Sequence, residues 1–161
     1  MIVNIEDNII ATLKKIFEHD KYNSEKGREP LKFFRGFLPG KELEEDINFY
    51  PCILVTFNND KYSLGNGVAS AELSYNILIG VYAPKFEEEA YHDCINIYER
   101  IKQEMIATGR LGDCYVDRNS IQGLLNPEQP APYIWFQMNV TFQVPVINTN
   151  LEEETYNGKG Y

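Results

Sequence analysis

Between Tyr133 and Val144 the side chains fall into two alternating sets. Ile134, Phe136, Met138, Val140, Phe142 and Val144 share one side, while Tyr133, Trp135, Gln137, Asn139, Thr141 and Gln143 share the other. A period of two belongs to an extended strand with one face buried. The same pattern occurs earlier, where Ala71, Leu73, Tyr75, Ile77, Ile79 and Val81 oppose Ser70, Glu72, Ser74 and Asn76. Two long half-buried strands need other elements to cover their apolar side, which limits the chain to layered folds built on a sheet.

Two helical stripes can supply that cover. Ile5, Ile9, Ile10, Leu13, Ile16 and Phe17 recur every three or four residues, with Asn4 in position to cap the helix and Glu6 and Asp7 near its positive end. A second helix is expected from Phe86 to Thr108. Its stripe is Ala90, Tyr91, Cys94, Ile95, Tyr98, Ile101 and Met105, Glu87–Glu89 occupy its first turn, and Gly109 follows as the C′ residue. The apolar run Pro51–Phe57 reads as a strand covered on both faces, joined by the polar loop Asn58–Gly67 to the strand after it. Leu31–Leu38 and Asp113–Arg118 are further strand candidates, and Lys21–Pro30 and Leu125–Pro132 read as loops. The expected fold is α+β, in the order α-β-β-β-α-β-β. A mainly antiparallel sheet carries both helices on one face. Residues 1–147 form one domain and residues 148–161 a flexible acidic tail.

Charge narrows the function. With 15 Lys and Arg against 24 Asp and Glu, the chain carries -9. A phosphate-gripping protein needs clustered cations, so a general nucleic-acid binder is excluded. No apolar run approaches the ~18 residues needed to span a bilayer, and the start of the chain has no basic-then-apolar leader, so a cytoplasmic protein is expected. Cations concentrate in one segment: Lys21, Lys26, Arg28, Lys32, Arg35 and Lys41 against Glu25 and Glu29. Glu42, Glu44, Glu45 and Asp46 follow directly. Such a segment is either a set of solvated charges or a basic patch able to meet an acidic neighbour.

No catalytic constellation is expected, and no metal or cofactor. Cys52, Cys94 and Cys114 contain no CxxC pair and read as reduced, buried thiols. His92 and Cys94, two residues apart on a helix, point to different faces. Gly65-Asn66-Gly67 precedes a strand, so it makes a turn and not a phosphate cradle.

Two stretches carry a resemblance. One is Tyr50-Pro51-Cys52-Ile53-Leu54-Val55 with the later strand ending Ile77-Leu78-Ile79-Gly80-Val81-Tyr82. The other is Asn126-Pro127-Glu128-Gln129-Pro130-Ala131-Pro132-Tyr133-Ile134-Trp135-Phe136, leading into Met138–Pro145. With the helix Tyr91–Gly109 between them, these resemble the tail-terminator (tail-completion, head–tail joining) proteins of tailed bacteriophages and prophages. The resemblance covers residues 1–147 and implies a non-enzymatic α+β subunit that forms a ring, typically hexameric, on the finished tail tube. Its implied partners are copies of itself, the tail-tube protein and the head connector; DNA passes through without specific binding and no membrane is involved. Its place would be the host cytoplasm during assembly, then the tail or neck of the virion. The residues expected at such interfaces are Lys32, Arg35, Lys61, Tyr62, Asn66, Glu128, Gln129, Tyr133 and Trp135. The competing expectations are another neck or connector protein, or a small ligand-binding or enzymatic domain with a pocket lined by Tyr75, Tyr82 and Tyr98.

Overall fold

The structure, a computed structural model, describes residues 2–39 and 49–145. The elements are α1 (Ile2–Ile16), β1 (Tyr22–Ser24), β2 (Gly27–Glu29), β3 (Lys32–Arg35), β4 (Cys52–Gly65), β5 (Val68–Tyr82), α2 (Glu88–Thr108), β6 (Arg110–Leu111), β7 (Cys114–Val116), a 3₁₀ turn at Arg118–Ser120, β8 (Gln122–Leu125) and β9 (Tyr133–Pro145). Strands β3-β4-β5-β9-β7-β6 form one sheet in that order, with β8 also paired to β9. Every pairing in it is antiparallel except β3 with β4. The fold is therefore α+β, with a mainly antiparallel sheet.

The two alternating stretches lie side by side. Each residue from Ser70 to Tyr82 faces a β9 partner, placing Leu73 opposite Phe142, Ile77 opposite Met138 and Val81 opposite Ile134. Facing residues point to the same side, so the two apolar sets merge. That side holds the main core, where Ile53 and Val55 of β4 join them under Ile5, Ile9, Leu13 and Phe17 of α1 and Cys94, Ile97, Ile101 and Met105 of α2. Both helices thus cover one face. Ile97 takes a fully buried place in the α2 stripe, and Tyr91 is exposed. Gly109, at φ 70°, closes α2 by donating its N–H to the Met105 carbonyl.

Several expectations change. Asn58–Gly65 is not a loop but the second half of β4; the connection to β5 is the two-residue turn Asn66-Gly67, both at positive φ (53° and 76°). A bulge between Phe57 and Asn59 shifts the phase, so Phe57 faces Tyr75 before it while Tyr62 and Leu64 face Ala71 and Ala69 after it. Lys21–Pro30 is not a plain loop either, since it contains the antiparallel hairpin β1–β2. The candidate strand Leu31–Leu38 is shorter, at Lys32–Arg35, and the candidate Asp113–Arg118 shortens to β7. The first residue of the expected loop Leu125–Pro132 belongs to β8. Asn4 lies inside α1, which begins at Ile2, and so does not cap it. The tail expected at 148–161 lies outside the described residues.

Two carboxylates are buried: Glu6, expected only to favour the positive end of the first helix, and Asp93, to which the sequence reading gave no role. Glu6 accepts a hydrogen bond from the Tyr75 hydroxyl (3.3 Å) and lies 3.3 Å from Arg35 Nε. Asp93 accepts the Asn23 N–H (3.0 Å) and faces Arg28, whose Nη1 also reaches Glu89 at 2.7 Å. Buried charges persist when paired in this way. The pairs fasten β3 to α1, and the β1–β2 hairpin to α2.

All three cysteines are buried and free. Burial pushes the Cys52 thiol up to about 12 and Cys114 to about 11, from an ordinary 9. Between those limits the folded state holds protons that the unfolded chain has lost, so stability falls as pH rises above 9. In reducing buffer the thermal unfolding midpoint is expected to decline from pH 9 to 10.5. Alkylation at pH 9 is expected to label all three cysteines only after denaturant is added; rapid labelling of Cys52 in the native protein would contradict this.

Candidate interaction surface

The helices leave the second face of the sheet uncovered by any described element. Its upper half is polar: Ser70, Glu72, Ser74 and Asn76 of β5 lie beside Asn139, Thr141 and Gln143 of β9. These groups bond one another, Ser74 with Thr141 at 3.0 Å and Gln137 with Asn139 at 2.7 Å. The lower half is aromatic. Tyr133 stacks on Tyr50 with centroids 3.9 Å apart, Trp135 meets Tyr50 edge-on at 5.5 Å, and Tyr82 lies 6.0 Å from Tyr133. Tyr50 of this cluster lies near Cys52, and Cys52 and Leu54 are buried along with Ile53 and Val55, so that part of β4 is buried on both faces. Gly80 permits the cluster: a Cβ there would come within 2.9 Å of both Trp135 Cη2 and Tyr50 Cε1.

Tyr133 and Trp135 are thus packed inside the chain and remain half-buried. The Pro-rich loop holds them in place. Gln129 accepts the Trp135 N–H (2.7 Å) and donates to the Trp135 carbonyl (3.2 Å) and the Asn126 carbonyl (2.5 Å). Its amide thereby continues the β9 edge one rung beyond Leu125, the last β8 residue paired there. Glu128 is exposed, with its N–H bonded to Asn126 Oδ1 at 3.0 Å.

Lys61, Tyr62 and Asn66 lie together on an arm formed by the outer halves of β4 and β5. Lys61 sits opposite Glu72 in register. On this arm Tyr62 is 55 % exposed and Leu64 and Val68 are each 64 % exposed, the latter two missed by sequence reasoning. Strand β3 pairs β4 only as far as Val55, and the Gly36 carbonyl takes the Thr56 hydroxyl just beyond. Among the described residues nothing pairs the outer edge of β4 from Asn59 to Gly65.

Lys32 and Arg35 lie elsewhere, on β3, and both meet carboxylates of their own chain. Lys32 Nζ is 3.2 Å from Glu29, and Arg35 contacts Glu6 and Asp7. Arg28 is paired as well. The expected basic patch therefore works largely as internal fastening. Lys41 and the acidic run after it lie outside the described residues.

Tyr75, Tyr82 and Tyr98 do not converge on one pocket. Tyr75 is buried under Glu6, Tyr82 stands on the open face, and Tyr98 packs on Phe136 at 4.9 Å. His92 is exposed and Cys94 fully buried, so the two point apart. Among the described residues no three His, Cys, Asp or Glu side chains are grouped to hold a metal ion. None of the described helices is long and apolar enough to cross a membrane. No protein-family model matches the chain, and no curated protein matches it.

Trp135→Ala is expected to destabilise the protein by about 2–4 kcal/mol, as removal of a packed aromatic usually does. Gln129→Ala should cost about 1–2 kcal/mol through the two Trp135 backbone groups it leaves unpaired. Denaturant unfolding with tryptophan and tyrosine fluorescence checks both. A Trp135→Ala effect below 0.5 kcal/mol, the usual scale for an unpacked surface site, would mean that the aromatic cluster is not a packed unit.

Proposed function

We propose that the chain is a structural subunit that assembles as a ring on the end of a finished phage or prophage tail tube. The ring would stop tube growth and offer the surface to which the filled head joins. The observation that supports this most is the arm: a strand edge from Asn59 to Gly65 that no described residue pairs, with Tyr62, Leu64 and Val68 exposed on it. Unpaired strand edges are templates for another chain, and native proteins usually blunt or cover them. In a head-to-tail ring, each subunit offers its arm to a different surface of the next, and the contact closes after a fixed number of copies. Half-exposed aromatics such as Tyr133 and Trp135 suit a second contact, with the tube rim or the head connector.

Charge and sequence support the same reading. A subunit at -9 gives a ring that repels phosphates, so DNA can slide through without adhering. The loop Asn126–Pro132 and the strand after it, which carry the resemblance to tail terminators, shape the aromatic half of the open face. The partners are then copies of this chain, with the hexameric geometry that the resemblance implies, together with the tail-tube protein and the head connector. Assembly would take place in the host cytoplasm, and the subunit would end in the virion neck. Lys32 and Arg35 act here through their internal pairs, and the contact between copies rests on the arm.

The double variant Tyr62→Thr with Leu64→Thr keeps strand propensity and alters only exposed side chains, so its stability should stay within about 0.5–1 kcal/mol of the parent. It is expected to lose the ring in sedimentation velocity and to stop co-sedimenting with tail tubes, with its thermal midpoint nearly unchanged. Rings and tube binding equal to the parent would overturn the arm's role.

A further inference from the structure

The arm carries the longest exposed run among the described residues, since every residue from Phe57 to Val68 is exposed. Within that run no described residue pairs the outer edge of β4 from Asn59 to Gly65. Native proteins blunt such an edge with a bulge, charge or proline. Here the bulge lies at Phe57–Asn59 and the charges at Asp60 and Lys61, so Tyr62 to Gly65 carry neither charge nor proline. Asp60, Tyr62 and Leu64 face Leu73, Ala71 and Ala69 and share one side of the sheet. Lys61, Ser63 and Gly65 share the other.

We propose that in free solution two copies of the chain join these edges antiparallel, about a two-fold axis through Ser63, so that each arm covers the other. The register follows from the residues. An axis normal to the sheet sets the residue on it against itself, and the residue before it against the residue after it in the other copy. An axis at Asp60 or at Lys61 would set like charges face to face, which destabilises a strand pair. At Tyr62 it would place each Asp60 carboxylate against the apolar Leu64 of the other copy. At Leu64 it would leave only Ser63–Gly65 to pair before the turn at Asn66-Gly67. With the axis at Ser63, Tyr62 of each copy meets Leu64 of the other, an aromatic–aliphatic pair made twice. The two Ser63 hydroxyls are then adjacent. Lys61 lies over Gly65, where even a Cβ would find nothing within 4 Å. So short a contact falls at the weak, reversible end of protein interfaces, and the pair can open when the arm meets another surface. The inference goes beyond the ring and does not depend on it, since any protein with this edge could protect it in the same way.

The test adds single cysteines to the full chain and oxidises with a glutathione couple. Cys52, Cys94 and Cys114 are buried, and the parent chain controls for them. Opposed Cα atoms of an antiparallel pair lie about 4.5–5.5 Å apart, within disulfide reach. Ser63→Cys is expected to give a covalent dimer on non-reducing gels, whereas the parent and the exposed-site control His92→Cys give none. Tyr62→Cys and Leu64→Cys should link to each other when the two chains are mixed. Tyr62→Glu with Leu64→Glu, added to Ser63→Cys, should abolish the dimer, and Tyr62→Glu with Leu64→Lys should restore it. All three positions are exposed, so the thermal midpoint should change little. A Ser63→Cys chain that links no better than His92→Cys, or a link that survives both glutamates, would overturn the proposal. That result would leave the ring standing, because in a head-to-tail contact Ser63 meets a different surface. A Ser63→Cys dimer from a chain that never caps tubes would support the pair and sink the ring alone.

Discussion

The register of β5 between β4 and β9 is the constraint on which the other features depend. It places Leu73, Tyr75, Ile77, Ile79 and Val81 on one side, level with the apolar sets of both neighbours. A one-residue slip would carry all five to the opposite face, so burial of this set fixes the pairing strongly. Once the register holds, both helices must pack on the apolar side and the polar and aromatic residues must lie together on the other. The open face is thus a consequence of how the core is built.

Charge plays a different part in this molecule from the one its distribution first suggests. The segment from Lys21 to Lys41 is rich in cations, yet Arg28, Lys32 and Arg35 each meet a carboxylate of the same chain. The pairs of Arg28 and Arg35 involve buried partners, Asp93 and Glu6, and such carboxylates require a counter-charge. What looked like a patch for a neighbour ties short strands to helices. Arg110 and Arg118, which have no such partner among the described residues, come from a part of the chain with no marked basic character.

The period of two made the core strands legible, and the period of 3.6 with Gly109 did the same for α2. Features that break a period were not readable. The bulge at Asn58 moves the apolar positions of β4 from Ile53, Val55 and Phe57 to Tyr62 and Leu64, so the strand's second half resembles a polar loop. Strands of three and four residues, as in β1, β2 and β8, are too short to display alternation. Part of the candidate surface was visible, since Tyr133 and Trp135 share one strand face and Lys61, Tyr62 and Asn66 one segment. Its completion was not: Tyr50 lies far away in the chain, and Gly80 carries no signal until Trp135 is seen resting on it. Glu6 and Asp93 were misjudged or missed because a carboxylate on a helix gives no sequence sign of a partner brought in by tertiary packing.

These features describe a sheet with one face spent on the core and the other left uncovered by any described element. The most direct measurement is the length of tail tubes grown from purified tube protein with and without this chain, read by electron microscopy. Sub-stoichiometric amounts added during growth should yield short tubes bearing a ring of density at one end, with elongation halted there. Tubes that lengthen at the same rate, with bare ends, would contradict the account.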